Sequence, residues 1–217
     1  MTRKFGCLVL AIVISFGVTA AAQQTVNRFD LFTGYSHLSS PSVNLGQNGF
    51  NTSFGVNANR WLALGADFSI FTGDGAIPLS DTKIASKVIP FLPPGVTNPS
   101  IPFHAKTYTF AAGPQVNIRH FEKVTFFVRP GLGLLHERAE LMGPLVALGP
   151  VLGLSAKMND TVPFYGVGGG VDVNASKHVG LRFSADFVHT SLFSDLLESR
   201  NAVRFSVGPT WKWGELK

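Results

Sequence analysis

One short stretch of the sequence carries the three residue types of a nucleophilic hydrolase. His189 and Ser191 are two positions apart, and Glu198 follows seven residues after Ser191. A serine hydroxyl that is activated by a histidine base, itself oriented by a carboxylate, can perform acyl transfer. The alternative is a histidine at a strand end beside an ordinary loop serine. We favour this alternative, because Glu198 follows so closely inside an apparent loop.

Metal, cofactor and disulfide chemistry have no support in the sequence. The other histidines are scattered near predicted strand ends, so we predict no metal site and no cofactor. They are His37, His104, His120, His136 and His178. The only cysteine is Cys7, which excludes a disulfide scaffold.

Charged residues alternate with apolar residues along several segments. These positions are Asp30, Asp67, Arg119, Arg129, Asp172, Arg182, Asp186, Arg204 and Lys212. If this face is turned into a protein interior, its charges must be paired and hydrogen-bonded. We favour a salt-bridge plug. The alternative is an ion gate in which one pair opens.

Five glycines share that polar face, and no helix follows them as a phosphate-binding loop would require. They are Gly131, Gly133, Gly166, Gly168 and Gly170. Their missing side chains leave space. Either bulky residues such as Phe71 or Phe127 fill it, which we favour, or a small solvated cavity remains.

The composition limits the kinds of secondary structure that can position these residues. The chain is 45% hydrophobic and 14% charged, against about 25% charged for an average soluble domain. Disorder is therefore excluded. Beyond residue 22 no apolar run approaches the roughly 20 residues of a spanning helix. The hydrophobic residues are instead spread over short segments.

The first 22 residues have the pattern of a secretory signal peptide. Arg3 and Lys4 precede an apolar segment at 7–18, which ends in alanines at 20–22. A membrane anchor is the less favoured alternative. We therefore predict a signal peptide at 1–22 and a single exported domain at 23–217. An exported chain with a small positive charge is not expected to bind nucleic acid.

The rest of the chain alternates with period two, which predicts eight strands. The runs are 29–38, 50–59, 62–70, 108–119, 124–134, 165–175, 179–187 and 203–213. Short turns are expected near 59–61, 120–123 and 176–178, and long loops at 39–49, 73–105, 141–161 and 190–201. An all-β, antiparallel, up-and-down barrel satisfies this order and has no free strand edge.

Alternation alone leaves open which face points inward. A soluble ligand carrier buries its apolar face, whereas a membrane barrel turns that face to lipid. The long strands, the alternation of short turns with long loops, and the narrow eight-stranded interior all favour a membrane barrel. Apolar stretches in two of the long loops also argue against a soluble protein.

The signal peptide, the eight strands and the final hairpin, formed by 181–187 and 201–213, resemble the OmpA-like outer-membrane β-barrel domains of Gram-negative bacteria. The resemblance implies short periplasmic turns, long extracellular loops, and a last strand that the barrel-assembly machinery recognises. The residues of that last strand are Val203, Phe205, Val207, Trp211 and Trp213. No peptidoglycan-binding domain is expected.

The expected function is a structural or narrow-pore role of a non-enzymatic monomer in the outer membrane. Its expected partners are outer-membrane lipids, including lipopolysaccharide, and the assembly machinery. One alternative is a small channel or binder for hydrophobic solutes, using the apolar loops and the glycine-lined lumen. A second alternative is a lipid A-modifying hydrolase that uses His189 and Ser191.

Overall fold

The computed structural model describes residues 26–83, 85–88, 99–121, 123–143, 155–194 and 200–216. Its eight strands are β1 (Asn27–Ser40), β2 (Leu45–Asn57), β3 (Leu62–Pro78), β4 (Ser100–Ile118), β5 (Val124–Leu141), β6 (Lys157–Asn174), β7 (Val179–Thr190) and β8 (Arg200–Glu215). Each strand pairs with the next, and β1 pairs antiparallel with β8, which closes the barrel. The predicted eight-stranded up-and-down barrel is confirmed.

The described helical segments are short. Two 3₁₀ turns lie at Pro41–Val43 and Leu79–Asp81, and helix α1 is Ala85–Val88. Within the described part of the chain, no helix has the length and apolar character needed to cross a membrane.

The connection between β1 and β2 is shorter than the sequence analysis predicted. A long loop was predicted at 39–49, but β1 continues to Ser40 and β2 begins at Leu45. The extension pairs regularly, with Leu38 opposite Gln47. Polar residues and glycines interrupt the apolar alternation in this stretch, while the backbone ladder continues. The connection is therefore a four-residue turn.

Strand also shortens the other three predicted loops. It covers 73–78 and 100–105 of the first, 141 and 157–161 of the second, and 190 and 200–201 of the third. We call the end of the barrel where 58–61, 119–123 and 175–178 join strands the turn end, and the opposite end the loop end. The strands extend beyond the predicted runs mainly towards the loop end.

The outer surface of the barrel is apolar and carries aromatic residues near both ends. Large exposed side chains include Phe68, Phe110, Leu132, Phe183 and Phe205 along its length. The three tryptophans lie towards the turn end, at Trp61, Trp211 and Trp213, and the three tyrosines towards the loop end, at Tyr35, Tyr108 and Tyr165. An apolar band between two aromatic girdles is typical of a barrel whose outer surface faces lipid.

The interior changes character along the barrel axis. Its turn-end half holds two buried ion-pair networks, which are described below. Its loop-end half contains a small apolar cluster of Leu38, Phe71 and Ala202, which includes one of the bulky residues expected to fill the lumen, and two larger apolar clusters that the sequence analysis did not predict. One is formed by Val43, Leu45, Ile77, Phe103, Ala105 and Ala139, and the other by Ala111, Leu135, Phe164, Val188 and Leu192. Phe193, just after β7, packs against both clusters, so the segment that follows β7 closes over the lumen.

Candidate functional site: the charged lumen of the barrel

A first ion-pair network lies in the lumen near the turn end. The register of β6 and β7 places Asp172 opposite Arg182. Arg182 Nε donates to Asp172 Oδ1 at 2.6 Å, and its Nη2 donates to Asp172 Oδ2 at 2.9 Å and to Asp30 Oδ1 at 3.3 Å. Lys212 Nζ lies 3.2 Å from Asp172 Oδ2. Four strands (β6, β7, β8 and β1) are thus linked across the interior.

A second network lies in the lumen closer to the loop end. Arg204 on β8 faces Asp186 on β7 in register. Arg204 Nε donates to Asp186 Oδ2 at 3.0 Å, and its Nη1 donates to Asp67 Oδ1 at 3.0 Å. Arg129 on β5 donates to both oxygens of Asp186 at 3.0 Å, and its Nη1 lies 3.6 Å from Asp67 Oδ2. Two arginines and two aspartates therefore neutralise one another.

An aromatic ring separates the two networks. The Arg182 guanidinium carbon lies 4.7 Å from the centre of the Phe127 ring, and that of Arg129 lies 5.9 Å away. Phe127 is fully buried, so these cation–π contacts form away from water, where they are strongest. A Cβ at Gly170 would stand 2.8 Å from the Phe127 ring. It would stand even closer to the backbone carbonyl oxygen of Phe183, so the glycine leaves room for both the ring and the neighbouring strand.

Arg119, in the turn that follows β4, lines a small cavity together with Asp30 and Asp172 of the first network, but among the described residues it forms no ion pair with them. Its Nη2 donates to Asn57 Oδ1 at 2.7 Å, and its Nη1 donates to the backbone carbonyl of Arg60. Burial lowers the pKa of Arg119 from its ordinary value, while the charges of Asp30 and Asp172 oppose that shift. Arg119 thus donates hydrogen bonds to neutral acceptors at the turn end of the barrel.

A third buried pair was missed by the sequence analysis. Arg200 Nη2 donates to both carboxylate oxygens of Glu137 at 2.7 Å, and Thr107 donates to Glu137 Oε2 at 2.9 Å. Both charged residues lie on strand extensions beyond the predicted runs. Continuing the inward phase of β5 and β8 by a few residues would have placed them in the lumen.

The sequence also matches a known protein family. The family model for the outer membrane protein beta-barrel domain matches residues 8–208. The chain belongs to this family. Among curated proteins, none matches the sequence.

Solved structures of other outer-membrane barrels have the same fold. Neisserial surface protein A is 16% identical, with a TM-score of 0.57 over 85% of this chain and 97% of that one. OprG from Pseudomonas aeruginosa is 10% identical, with a TM-score of 0.57 over 88% of this chain and 98% of that one. At such identities the likeness shows the fold alone. In a barrel of this kind the turn end is periplasmic and the loop end extracellular.

The lumen glycines of this outer-membrane barrel fall into two groups: some lie against aromatic rings, and others border a cavity. Gly133 and Gly170 lie beneath the rings of Phe164 and Phe127. A Cβ at Gly131, by contrast, would have no neighbour within 4 Å. A cavity of about 40 Å³ lies here beside the second network, and its lining includes Gly131, Gly166, Gly168, Asp67, Arg129 and Asp186. It is large enough for ordered water and has polar partners for it.

Of the three hydrolase candidates, the structure describes His189 and Ser191. His189 Nδ1 lies 2.7 Å from Asn201 Oδ1, and the His189 ring lies 5.0 Å from the centre of the Tyr165 ring, on the outer surface. Among the described residues, no hydrogen bond joins His189 to Ser191. Glu198 lies outside the described residues, as do 1–25 with the predicted signal peptide and much of the apolar loop sequence, 89–98 and 144–154.

The predicted assembly residues of β8 lie on the lipid-facing side. Phe205, Val207, Trp211 and Trp213 are exposed, and Val203 is half-buried. The Trp213 ring lies 5.9 Å from that of Phe29 and 6.2 Å from that of Phe54. This outward aromatic cluster spans the seam where the last strand closes on the first.

Proposed function

We propose that this outer-membrane barrel is a non-enzymatic, non-conducting scaffold that holds its loops at the outer surface. The observation that carries the proposal is the filling of the lumen by layers of different chemistry. From the turn end these layers are the Arg182 network, the Phe127 ring, the Arg204 network, and the loop-end half with its apolar clusters and the buried Glu137–Arg200 pair.

The energetics of the buried charges support a closed lumen. An ion would have to pass two networks whose aspartates are already neutralised by arginines. Opening such a pair leaves an uncompensated charge in a low-dielectric interior, which costs about 3–5 kcal/mol. The apolar clusters beyond the networks would add the cost of removing the ion's hydration shell. A narrow-pore role is therefore less favoured than a structural one.

The observations on the two alternatives also favour the scaffold. For a solute binder, the apolar positions of the loop-end lumen already pack against one another, with Leu192 fully buried among them. For a lipid A hydrolase, the described partner of the His189 ring is Asn201. An asparagine does not supply the negative charge that stabilises a histidinium.

The same proposal includes export through residues 1–22 and a monomeric state in the outer membrane. The barrel-assembly machinery would read the outward face of β8, and lipids, including lipopolysaccharide, would surround the apolar band. The outward apolar side chains of β8, which include Phe205, Trp211 and Trp213, support the first interaction. The two aromatic girdles support the second.

Planar-bilayer recording tests the scaffold function. We expect the refolded chain to insert without discrete conductance steps at either polarity, because the layers block the lumen. Heat-modifiable migration in SDS gels checks that the inserted protein is folded, and a porin of known conductance checks the bilayer. Reproducible single-channel steps from the folded chain would show that the lumen conducts.

A further inference from the structure

Two cations lie side by side on the outer surface of the barrel at the loop end. Lys106 on β4 and Arg138 on β5 are register partners, and both are exposed. Like charges directly opposite each other on one sheet face destabilise the strand pair. A surface that keeps such a pair gains stability when an anion binds between the two charges.

The nearest acidic side chains are engaged elsewhere. The carboxylate of Asp74 lies 2.7 Å from His104 Nδ1, and that of Glu140 lies 3.1 Å from Lys157 Nζ. Arg138 itself donates from Nε to His136 Nε2 at 3.3 Å. Among the described residues, the Lys106 ammonium has no ion-pair partner.

The position of the pair on the barrel indicates the kind of anion. Lys106 and Arg138 each lie two residues beyond the tyrosine girdle, after Tyr108 and His136, whose rings are 6.1 Å apart. Tyrosines of a girdle lie at the level of the lipid head groups. The two cations therefore extend into the phosphate layer of the leaflet that faces the loops.

We propose that Lys106 and Arg138 bind a phosphate group of a phosphorylated glycolipid of the lipopolysaccharide class. The planar guanidinium can hold two phosphate oxygens, while the ammonium contributes a compact positive charge to the third. The inference rests on the proposed function, because that function places the loop end in the outer leaflet. It adds a binding site that the scaffold role does not require.

Binding of diphosphoryl lipid A to the full chain in zwitterionic detergent tests the site. Titration followed by native mass spectrometry gives the dissociation constant. Each cation near an anionic membrane surface contributes about 1 kcal/mol, so Lys106→Gln or Arg138→Gln weakens binding about fivefold. The double variant weakens it about 25-fold if the two contributions add. Lys177→Gln, an exposed cation of the turn end, leaves the constant unchanged.

Two further probes identify the source of the phosphate. Lipid A from which both phosphates have been removed binds as weakly to the native chain as the diphosphoryl form binds to the double variant. Inorganic phosphate at millimolar concentration does not displace diphosphoryl lipid A. Displacement by inorganic phosphate at millimolar concentration would show a free-anion site and overturn the proposal.

Every variant is first checked for folding by heat-modifiable migration, and the single variants decide if the double variant does not fold. Folded variants that bind diphosphoryl lipid A as the native chain does would also overturn the proposal. That result leaves the scaffold function standing if the bilayer remains silent. Channel activity together with unchanged lipid A binding would overturn the scaffold function and leave the lipid-binding site standing.

Discussion

Replacing Arg204 with methionine is expected to lower the free energy of unfolding by about 3–5 kcal/mol. Arg204 is buried and donates to Asp186 and to Asp67. The variant leaves two buried carboxylates with Arg129 as their remaining cation. Equilibrium unfolding in urea, with the barrel in lipid vesicles and followed by tryptophan fluorescence, measures the change.

An exposed ion pair of the same chain provides the matched control. Lys157 Nζ lies 3.1 Å from Glu140 Oε1, and both side chains are largely exposed. Because water screens this pair, Lys157→Met is expected to cost at most about 1 kcal/mol. If Arg204→Met costs no more than Lys157→Met, the second network does not stabilise the barrel as described.

Replacing Phe127 with alanine is expected to cost a similar amount, about 3–5 kcal/mol. The ring is fully buried, lies between Arg182 and Arg129, and rests on Gly170. Its removal opens a cavity and ends two cation–π contacts at once. The same urea titration measures the loss.

The preceding residue tests whether position, and not residue type, determines that cost. Phe126 is a phenylalanine on the same strand, but it faces outward and is 43% exposed. Phe126→Ala removes the same atoms from the lipid-facing surface, where acyl chains fill the space, so it loses the transfer free energy of the ring but creates no cavity and should cost less. Equal losses in the two variants would contradict the assignment of Phe127 to the interior.

Strand number and the two faces of each strand could be predicted from the sequence because both depend on local alternation. Arg182 and Asp186 alternate with Leu181, Phe183 and Phe187, and this pattern alone assigns them to opposite faces. Which aspartate each arginine meets could not be predicted in the same way. Arg129 reaches Asp186, which is 57 residues away, across β6, where Gly168 is the register partner of both residues and has no side chain to separate them.

The loop-end lumen was missed for a different physical reason. There the inward positions become apolar, as at Leu135 and Phe164, while outward positions become polar beyond the lipid band. The alternation that marks a membrane strand therefore weakens or reverses where the strand leaves the lipid. Glu137 and Arg200 lie in these extensions, so their pairing required the register of the folded barrel.

Quenching of tryptophan fluorescence by brominated phosphatidylcholine tests most directly whether the apolar face contacts lipid. We expect bromines near the head group to quench the native tryptophans, which lie near the turn end of the outer surface. In a variant without them, Phe68→Trp introduces a single probe within the apolar band, at a position that is 40% exposed. Bromines deep in the acyl chains should quench this probe strongly. Fluorescence from Phe68→Trp that is insensitive to bromine at every depth, in a folded barrel, would contradict the outward orientation of the apolar face.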